Sequence, residues 1–340
     1  MKPSQVATGL PNPKLTLRFL VLIVALGVAL AGCTSGNSAA PDAPQTTVGL
    51  TFIPNIQFAP FYIADQNSFY TKDVAVSLRH HGSSEGLFTA LAAGEEQFVV
   101  AGGDEILEAR TQGIDIVAIA SYYSQYPVKI IVPEDSPINS IADLRGHTVG
   151  LPGKYGENWY ALLIALNQAG MSTSDVTISE IGYTLQAALT SKQVDAVVGF
   201  ANSDVLSYQG IGFPVKAIDP NTPLVSICLA TTSAYAKDNP VIVASVVSGM
   251  KKGMELARND EPKTLKIAAK YIPSFRGDTL ETAKQVLPAT TALFVGQDGQ
   301  VSPPLNNSQW TQMAQAMALV GLIPANTDPT LAYTNEYQTT

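Results

Sequence analysis

From Val48 onward short apolar runs alternate with stretches of helical period, which restricts the chain to βαβ units around largely parallel sheets. Val48–Ile53 reads as a strand, then a loop at Pro54–Ala59 and a helix to Phe69. Val74–Arg79 and Gln97–Ala101 are further strands. Helices follow them over Glu85–Ala93 and, after Gly102-Gly103-Asp104, as far as Gln112. Ile116–Ser121 and Val128–Val132 are strands separated by Tyr122-Tyr123-Ser124-Gln125-Tyr126. The rhythm then restarts with strand Thr148–Leu151, a Gly-rich loop, helix Asn158–Ala169, strand Val176–Ile181, helix Leu185–Ser191 and strand Asp195–Phe200. After Val215–Ile218 and Val225–Ala230 the pattern is mostly helical from Pro240 to the end. Two α/β units followed by a helical tail with no sheet of its own predict two lobes. Residues 48–127 and 233–340 form a discontinuous lobe one. Residues 128–232 form lobe two, with crossings at Val128–Val132 and Val225–Thr232 that make a hinge.

Composition removes several alternatives. Hydrophobic residues are 46% of the 340 and charged residues 14%, enough for a sizeable core and incompatible with disorder. The formal net charge is −8, so a phosphate backbone is a poor partner and no nucleic acid is expected. Two cysteines, Cys33 and Cys228, exclude a disulfide scaffold and a Cys-based zinc site. His80 and His81 have no third ligand nearby and His147 is the only other histidine, so neither a metal nor a cofactor is expected.

Lys2, Lys14 and Arg18 precede Phe19–Ala31, which has no polar side chain and is too short for a transmembrane helix of about 20 residues. Residues 1–32 therefore read as a secretory signal peptide. Its end, Leu30-Ala31-Gly32-Cys33, resembles the bacterial lipobox. That resemblance implies diacylation of Cys33 and an extracytoplasmic protein held to the membrane by its lipid, two chains being a stable anchor. Residues 33–47 carry little to bury and read as a flexible tether.

In open α/β sheets ligands bind beyond the carboxyl ends of the strands. The loops expected there are rich in Tyr, Phe, Asn, Gln and Gly, which suits a flat heterocycle with polar edges. Asn55, Gln57 and Phe58 follow the first strand, where they either meet a ligand or cap and pack the next helix. Phe61 is read as core. Ser83 and Ser84 follow the second strand, and Asp104 follows Gly102-Gly103 as ligand acceptor or helix cap. Tyr122, Tyr123 and Tyr126 adjoin the hinge. Tyr155, Asn158 and Trp159 belong to the first loop and helix of lobe two, with Tyr183 and Asn202 on later loops. Gly82-Ser83-Ser84-Glu85-Gly86 also matches G-x-S-x-G between strand and helix, the context of a hydrolase nucleophile. The only histidine downstream is His147, which weakens that alternative.

Several stretches resemble a known family. Phe52-Ile53-Pro54-Asn55-Ile56-Gln57-Phe58-Ala59-Pro60-Phe61-Tyr62-Ile63-Ala64 is similar to the opening of bacterial ABC-importer substrate-binding proteins of the SsuA/Thi type, which carry sulfonates and thiamine pyrimidine precursors. Ile141-Ala142-Asp143-Leu144-Arg145-Gly146-His147-Thr148-Val149-Gly150 resembles that family's entry into the second lobe. Gly182-Tyr183 through Val194-Asp195-Ala196-Val197 and the helix from Val241 continue the likeness, over roughly Val48–Ile272. Within the family the first loop and Leu151-Pro152-Gly153-Lys154-Tyr155-Gly156 look most like riboflavin-binding RibY-type lipoproteins. The resemblance implies a type II periplasmic-binding-protein fold, α/β, each lobe a mostly parallel sheet flanked by helices and joined by a two-strand hinge. It implies a monomeric non-enzyme that passes a small aromatic heterocycle to an ABC permease and its ATPase. The alternatives are a secreted serine hydrolase using Ser84 and a membrane-tethered ligand sensor.

Overall fold

The computed structural model describes residues 43–72, 74–82 and 86–338. The signal segment, Cys33, most of the tether, Ser83 and Ser84 lie outside the described residues.

The first sheet opens with β1 (Gln45–Leu50), α1 (Ala59–Gln66), β2 (Ala75–His80), α2 (Thr89–Ala93), β3 (Phe98–Gly102), α3 (Gly103–Thr111) and β4 (Ile116–Ser121). The chain crosses to the second lobe as β5 (Val128–Pro133). There follow β6 (Thr148–Leu151), α4 (Gly156–Gln168), β7 (Thr177–Glu180), α5 (Leu185–Thr190), β8 (Ala196–Phe200), α6 (Asp204–Gly210) and β9 (Val215–Ile218). It returns as β10 (Ile227–Thr232) and continues through α7 (Ser233–Asp238), α8 (Pro240–Asn259), α9 (Glu261–Ala268), α10 (Asp278–Leu293) and α11 (Asn307–Leu319). No helix among the described residues is long and apolar enough to cross a membrane.

The sheets have orders β2-β1-β3-β10-β4 and β7-β6-β8-β5-β9. In each, four strands point the same way and one is reversed: β10 lies antiparallel to β3 and β4, and β5 antiparallel to β8 and β9. The reversed strand is always the one arriving from the other lobe. The two-lobed α/β arrangement with mostly parallel sheets is therefore as expected. Two boundaries differ. Gln45–Thr47, read as tether, pair in parallel with Ala75–Ser77. Thr46 is buried there, and the Thr47 amide donates to Gln97 Oε1 at 2.8 Å. Val225–Thr232, read with lobe two, supplies β10 between β3 and β4 of the first sheet, so the return crossing precedes Ile227. A third shift is local: α2 begins at Thr89, not at Glu85.

Strand alternation sorts the first sheet's side chains onto two faces. Phe98, Val100 and Leu229 join the cluster with Phe61, Ile63, Val246, Met250 and Leu287, placing α1, α8 and α10 on one face. Val99, Ala101, Cys228 and Ala230 join Ile106, Trp310 and Met317, placing α3 and α11 on the other. The helical tail thus covers lobe one on both sides. Gly249 and Gly253, one turn apart on α8, let it approach closely: a β-carbon on Gly253 would sit 2.1 Å from the Pro60 carbonyl oxygen on α1.

Candidate functional site

A cavity of about 880 Å³ opens between the lobes, walled by the strand-end loops of both sheets. From lobe one come Phe52, Asn55, Gln57 and Phe58 after β1, His81 and Gly82 after β2, Glu105 and Glu108 on α3, and Tyr122 and Tyr123 after β4. From lobe two come Pro152 and Tyr155 after β6, Glu157, Asn158 and Tyr160 on α4, Tyr183 after β7, and Phe200 and Asp204 around the end of β8. Thr282 and Val286 of α10 close one side.

The first loop is held by its own polar groups. Asn55 Oδ1 accepts from the Gln57 amide at 3.0 Å, capping the turn before α1. Tyr122 OH donates to the Gln57 carbonyl at 2.6 Å, and Tyr62 OH is 2.9 Å from His80 Nε2. His80 Nδ1 lies 2.9 Å from the Phe52 carbonyl, and burial lowers this imidazole's pKa. Asn55 therefore caps the turn, the second of the roles weighed for it, and it also borders the cavity. Phe61 is core, stacked on Tyr122 at 5.4 Å. Tyr122 in turn stacks on Tyr123 at 5.1 Å, so an aromatic column runs from the core to the cavity wall.

At the mouth Tyr155 and Tyr183 of lobe two are 58% and 56% exposed. Phe52 of lobe one meets Tyr183 edge-on, centroids 5.5 Å apart at 78°, a contact that spans the cleft. Deeper in, Asn158 Nδ2 donates to the Val198 carbonyl at 2.7 Å. Asp204 Oδ2 accepts from the Phe200 amide at 2.6 Å, while burial raises its pKa.

Asn55, Gln57, Phe58, Tyr122, Tyr123, Tyr155, Asn158 and Tyr183 thus border one cavity. Four other expected residues do not. Asp104 is 0% exposed, its carboxyl taken by the Glu105 amide at 2.8 Å and by Tyr126 OH at 2.8 Å. Tyr126 is committed to that bond behind the wall. Trp159 packs into the apolar cluster shared by Tyr160, Val149 and Leu166, because it points off the cleft face of α4. Asn202 is buried against α10, donating to Thr290 Oγ1 at 3.0 Å, and joins the lobes instead of bordering the cavity. For Ser83 and Ser84, only the flanking Gly82 and Gly86 can be placed, and both border the cavity. His81 bonds through Nε2 to Glu96 at 2.9 Å, in a cluster with Arg79, and His147 pairs with Asp195 at 3.3 Å.

Sequence reasoning passed over Phe52, Glu105, Glu108, Glu157 and Tyr160. The apolar pattern places Phe52 in the first strand, whereas β1 ends at Leu50. The glutamates sit beside residues that were singled out: Glu105 follows Asp104, and Glu157 stands between Gly156 and Asn158. Burial pushes Asp104 up to about 7. Burial and then the Asp104 charge push Glu105 up to about 8.

With this geometry in hand, three comparisons bear on the chain. A family model described as NMT1/THI5 like matches residues 55–264. The riboflavin-binding protein RibY of Chloroflexus aurantiacus is 29% identical over 307 residues, covering 88% of each chain. The formylaminopyrimidine-binding protein of Halalkalibacterium halodurans is 24% identical over 247 residues, 71% of this chain and 74% of that one. Among solved structures, the periplasmic aliphatic sulphonate binding protein SsuA of Escherichia coli superposes with a TM-score of 0.66 at 19% identity, over 85% of this chain and 92% of that one. At that identity the likeness concerns the fold, which is the periplasmic-binding-protein fold.

Proposed function

The chain belongs to the NMT1/THI5-like family, and from that premise we propose that it is the solute-binding component of an ABC importer. It captures a small aromatic heterocycle between its lobes, riboflavin first and a thiamine pyrimidine precursor next, and delivers it to a permease driven by an ATPase. The observation that carries this reading is the interlobe cavity of about 880 Å³, walled by aromatic faces and side-chain amides from both lobes. That volume lies within the roughly 300–1,000 Å³ of small-molecule sites, and rings offer area while amides select polar edges. The resemblance to RibY, 29% over 88% of each chain, supports a flavin in particular. The role is binding without chemistry, by a monomer on the outer side of the cell membrane.

Titrating riboflavin with the purified protein is expected to quench the flavin's fluorescence with one site per monomer. A response to taurine-like sulfonates, with none to any flavin or aminopyrimidine, would move the ligand to another class.

The anchor is proposed on sequence alone. Cys33→Ala is expected to release the protein from the membrane fraction and to abolish incorporation of labelled fatty acid. Retention of both membrane association and label in the variant would show that Cys33 is not the acylated residue.

A further inference from the structure

At the floor of the cavity and just behind it, the lobes meet through carboxyl groups on two helices. Asp104, Glu105 and Glu108 stand on α3 of lobe one, and Glu157 stands in the first turn of α4 of lobe two. Tyr126, on the crossing segment, donates to Asp104 Oδ2 at 2.8 Å and lies 3.0 Å from the Glu157 carbonyl oxygen. Tyr160 of α4 donates to Glu108 across the same junction. The Glu157 side chain rests on the start of α3, its γ-carbon 3.0 Å from where a β-carbon on Gly102 would lie. Glu157 is 9% exposed, and its Oε1 is buried with no hydrogen-bond partner.

Among the described residues, none of these four carboxyls takes part in an ion pair. The other titratable groups that feel their charge are themselves acids: Tyr123, Tyr126, Tyr160 and Tyr183, and the Cys228 thiol of β10. The nearby cations on the two elements face elsewhere. Lys154, ahead of α4, pairs with Glu180, and Arg110, at the far end of α3, pairs with Asp115. Compensation comes from helix-start amides: Gly102 N donates to Glu105 Oε2 at 2.9 Å and Glu105 N to Asp104 Oδ1 at 2.8 Å. Those bonds offset less than the cost of burying a carboxylate charge, and Glu157 Oε1 receives none.

We propose that closure of the lobes is linked to proton uptake at this junction. Pressing Glu157 against Asp104 and Glu105 buries the carboxyls without counter-charge, so acid draws the lobes together and alkali parts them. The electrostatics agree: burial first, then the Asp104 and Glu105 charges, raise Glu157 well above the carboxylate range. The closed state holds protons that open, hydrated carboxyls release. Its advantage is full below the ordinary carboxylate pKa of about 4 and is lost as pH rises through about 7 to 8, where Asp104 and Glu105 titrate. For each proton taken up, the closed-to-open ratio falls about tenfold per pH unit across that window. This deepens the solute-capture reading, on which its use in loading and release rests.

The test measures closure without ligand. Spin labels on Thr89→Cys and Thr184→Cys, exposed positions near the cavity mouth on opposite lobes, report the interlobe distance in the full chain from pH 5 to pH 9. The short distance is expected to dominate at pH 5 and to give way to a longer one as pH passes 7 to 8. Glu157→Gln, with one charge fewer to bury, is expected to retain a larger share of the short distance at pH 9 than the parent, Asp104 and Glu105 carrying the rest of the pH dependence. Should that variant fold poorly, Glu105→Gln gives the same readout. A distribution unchanged with pH in the parent, or an opening that is undiminished at pH 9 in a folded glutamine variant, overturns the proposal. Riboflavin titration is scored separately: failure of riboflavin to bind removes the ligand assignment and leaves the distance result standing.

Discussion

Gly253→Val is expected to leave the protein unfolded, or to lower its urea midpoint further than any change at the cavity mouth. A β-carbon at this position would lie 2.1 Å from the Pro60 carbonyl oxygen, 2.8 Å from its carbonyl carbon and 2.9 Å from its Cα. Overpacking costs about 1–3 kcal/mol where side chains can yield. Here the obstacle is the backbone of α1, which can move only by separating α1 from α8. The cost should therefore exceed about 3 kcal/mol, a large part of the roughly 5–15 kcal/mol that holds a domain folded. Gly249→Val is the graded comparison. Its β-carbon would meet the Tyr70 ring at 2.5 Å, and a ring can turn, so its midpoint should fall less. A Gly253→Val midpoint equal to the parent's would show that the two helices have room between them.

Tyr155→Ala is expected to weaken riboflavin binding about tenfold, which corresponds to ~1.4 kcal/mol, while leaving the urea midpoint unchanged. Aromatic pairing contributes about 0.5–1.5 kcal/mol beyond area burial, and removing the ring forfeits the burial too. At 58% exposure the ring supports little of the fold, so affinity and stability separate at this position. They do not separate at Tyr123, which is buried between Tyr122 and Phe294; there alanine should lower both. Ser84→Ala should cost at most one hydroxyl hydrogen bond, a small change in affinity. A hydrolase would invert this ranking. Ester turnover abolished by Ser84→Ala and retained by Tyr155→Ala would replace the binding protein with an enzyme.

Strands such as β3, β4 and β8 were legible because each is a buried apolar run, so their limits in the sequence and the structure agree within a few residues. What period and composition do not carry is which sheet a strand joins. Val225–Thr232 looks the same whether it crosses between lobes or fills the slot between β3 and β4, and only hydrogen bonding to both neighbours decides it. Gln45–Thr47 escaped notice for the opposite reason. Their side chains are polar, while their place in the sheet is set by backbone pairing with Ala75–Ser77.

The cavity was legible through topology, since loops at strand ends converge. Individual roles were less so, because which side of a helix faces the cleft depends on its rotation. Asn158 borders the cavity while its neighbour Trp159, partly buried, packs against the apolar cluster beside it. The carboxyl junction escaped for a related reason. Glu105 and Glu157 lie far apart in the chain, and only lobe contact makes their charges a common problem.

The reversed strand of the first sheet also governs how the protein can be made. A chain that leaves a ribosome or a translocation pore N-terminus first presents β1 to β4 early, and then all of lobe two before Ile227–Thr232 appears. Until then β4, the apolar run Ile116–Ser121, has no partner strand, because its one neighbour in the sheet is β10. Lobe two can fold as soon as β9 emerges, whereas lobe one waits with a bare hydrophobic edge of the kind that seeds aggregation. Strand order thus sets an interval during synthesis in which a holding chaperone has an edge to protect, and the emergence of β10 ends it.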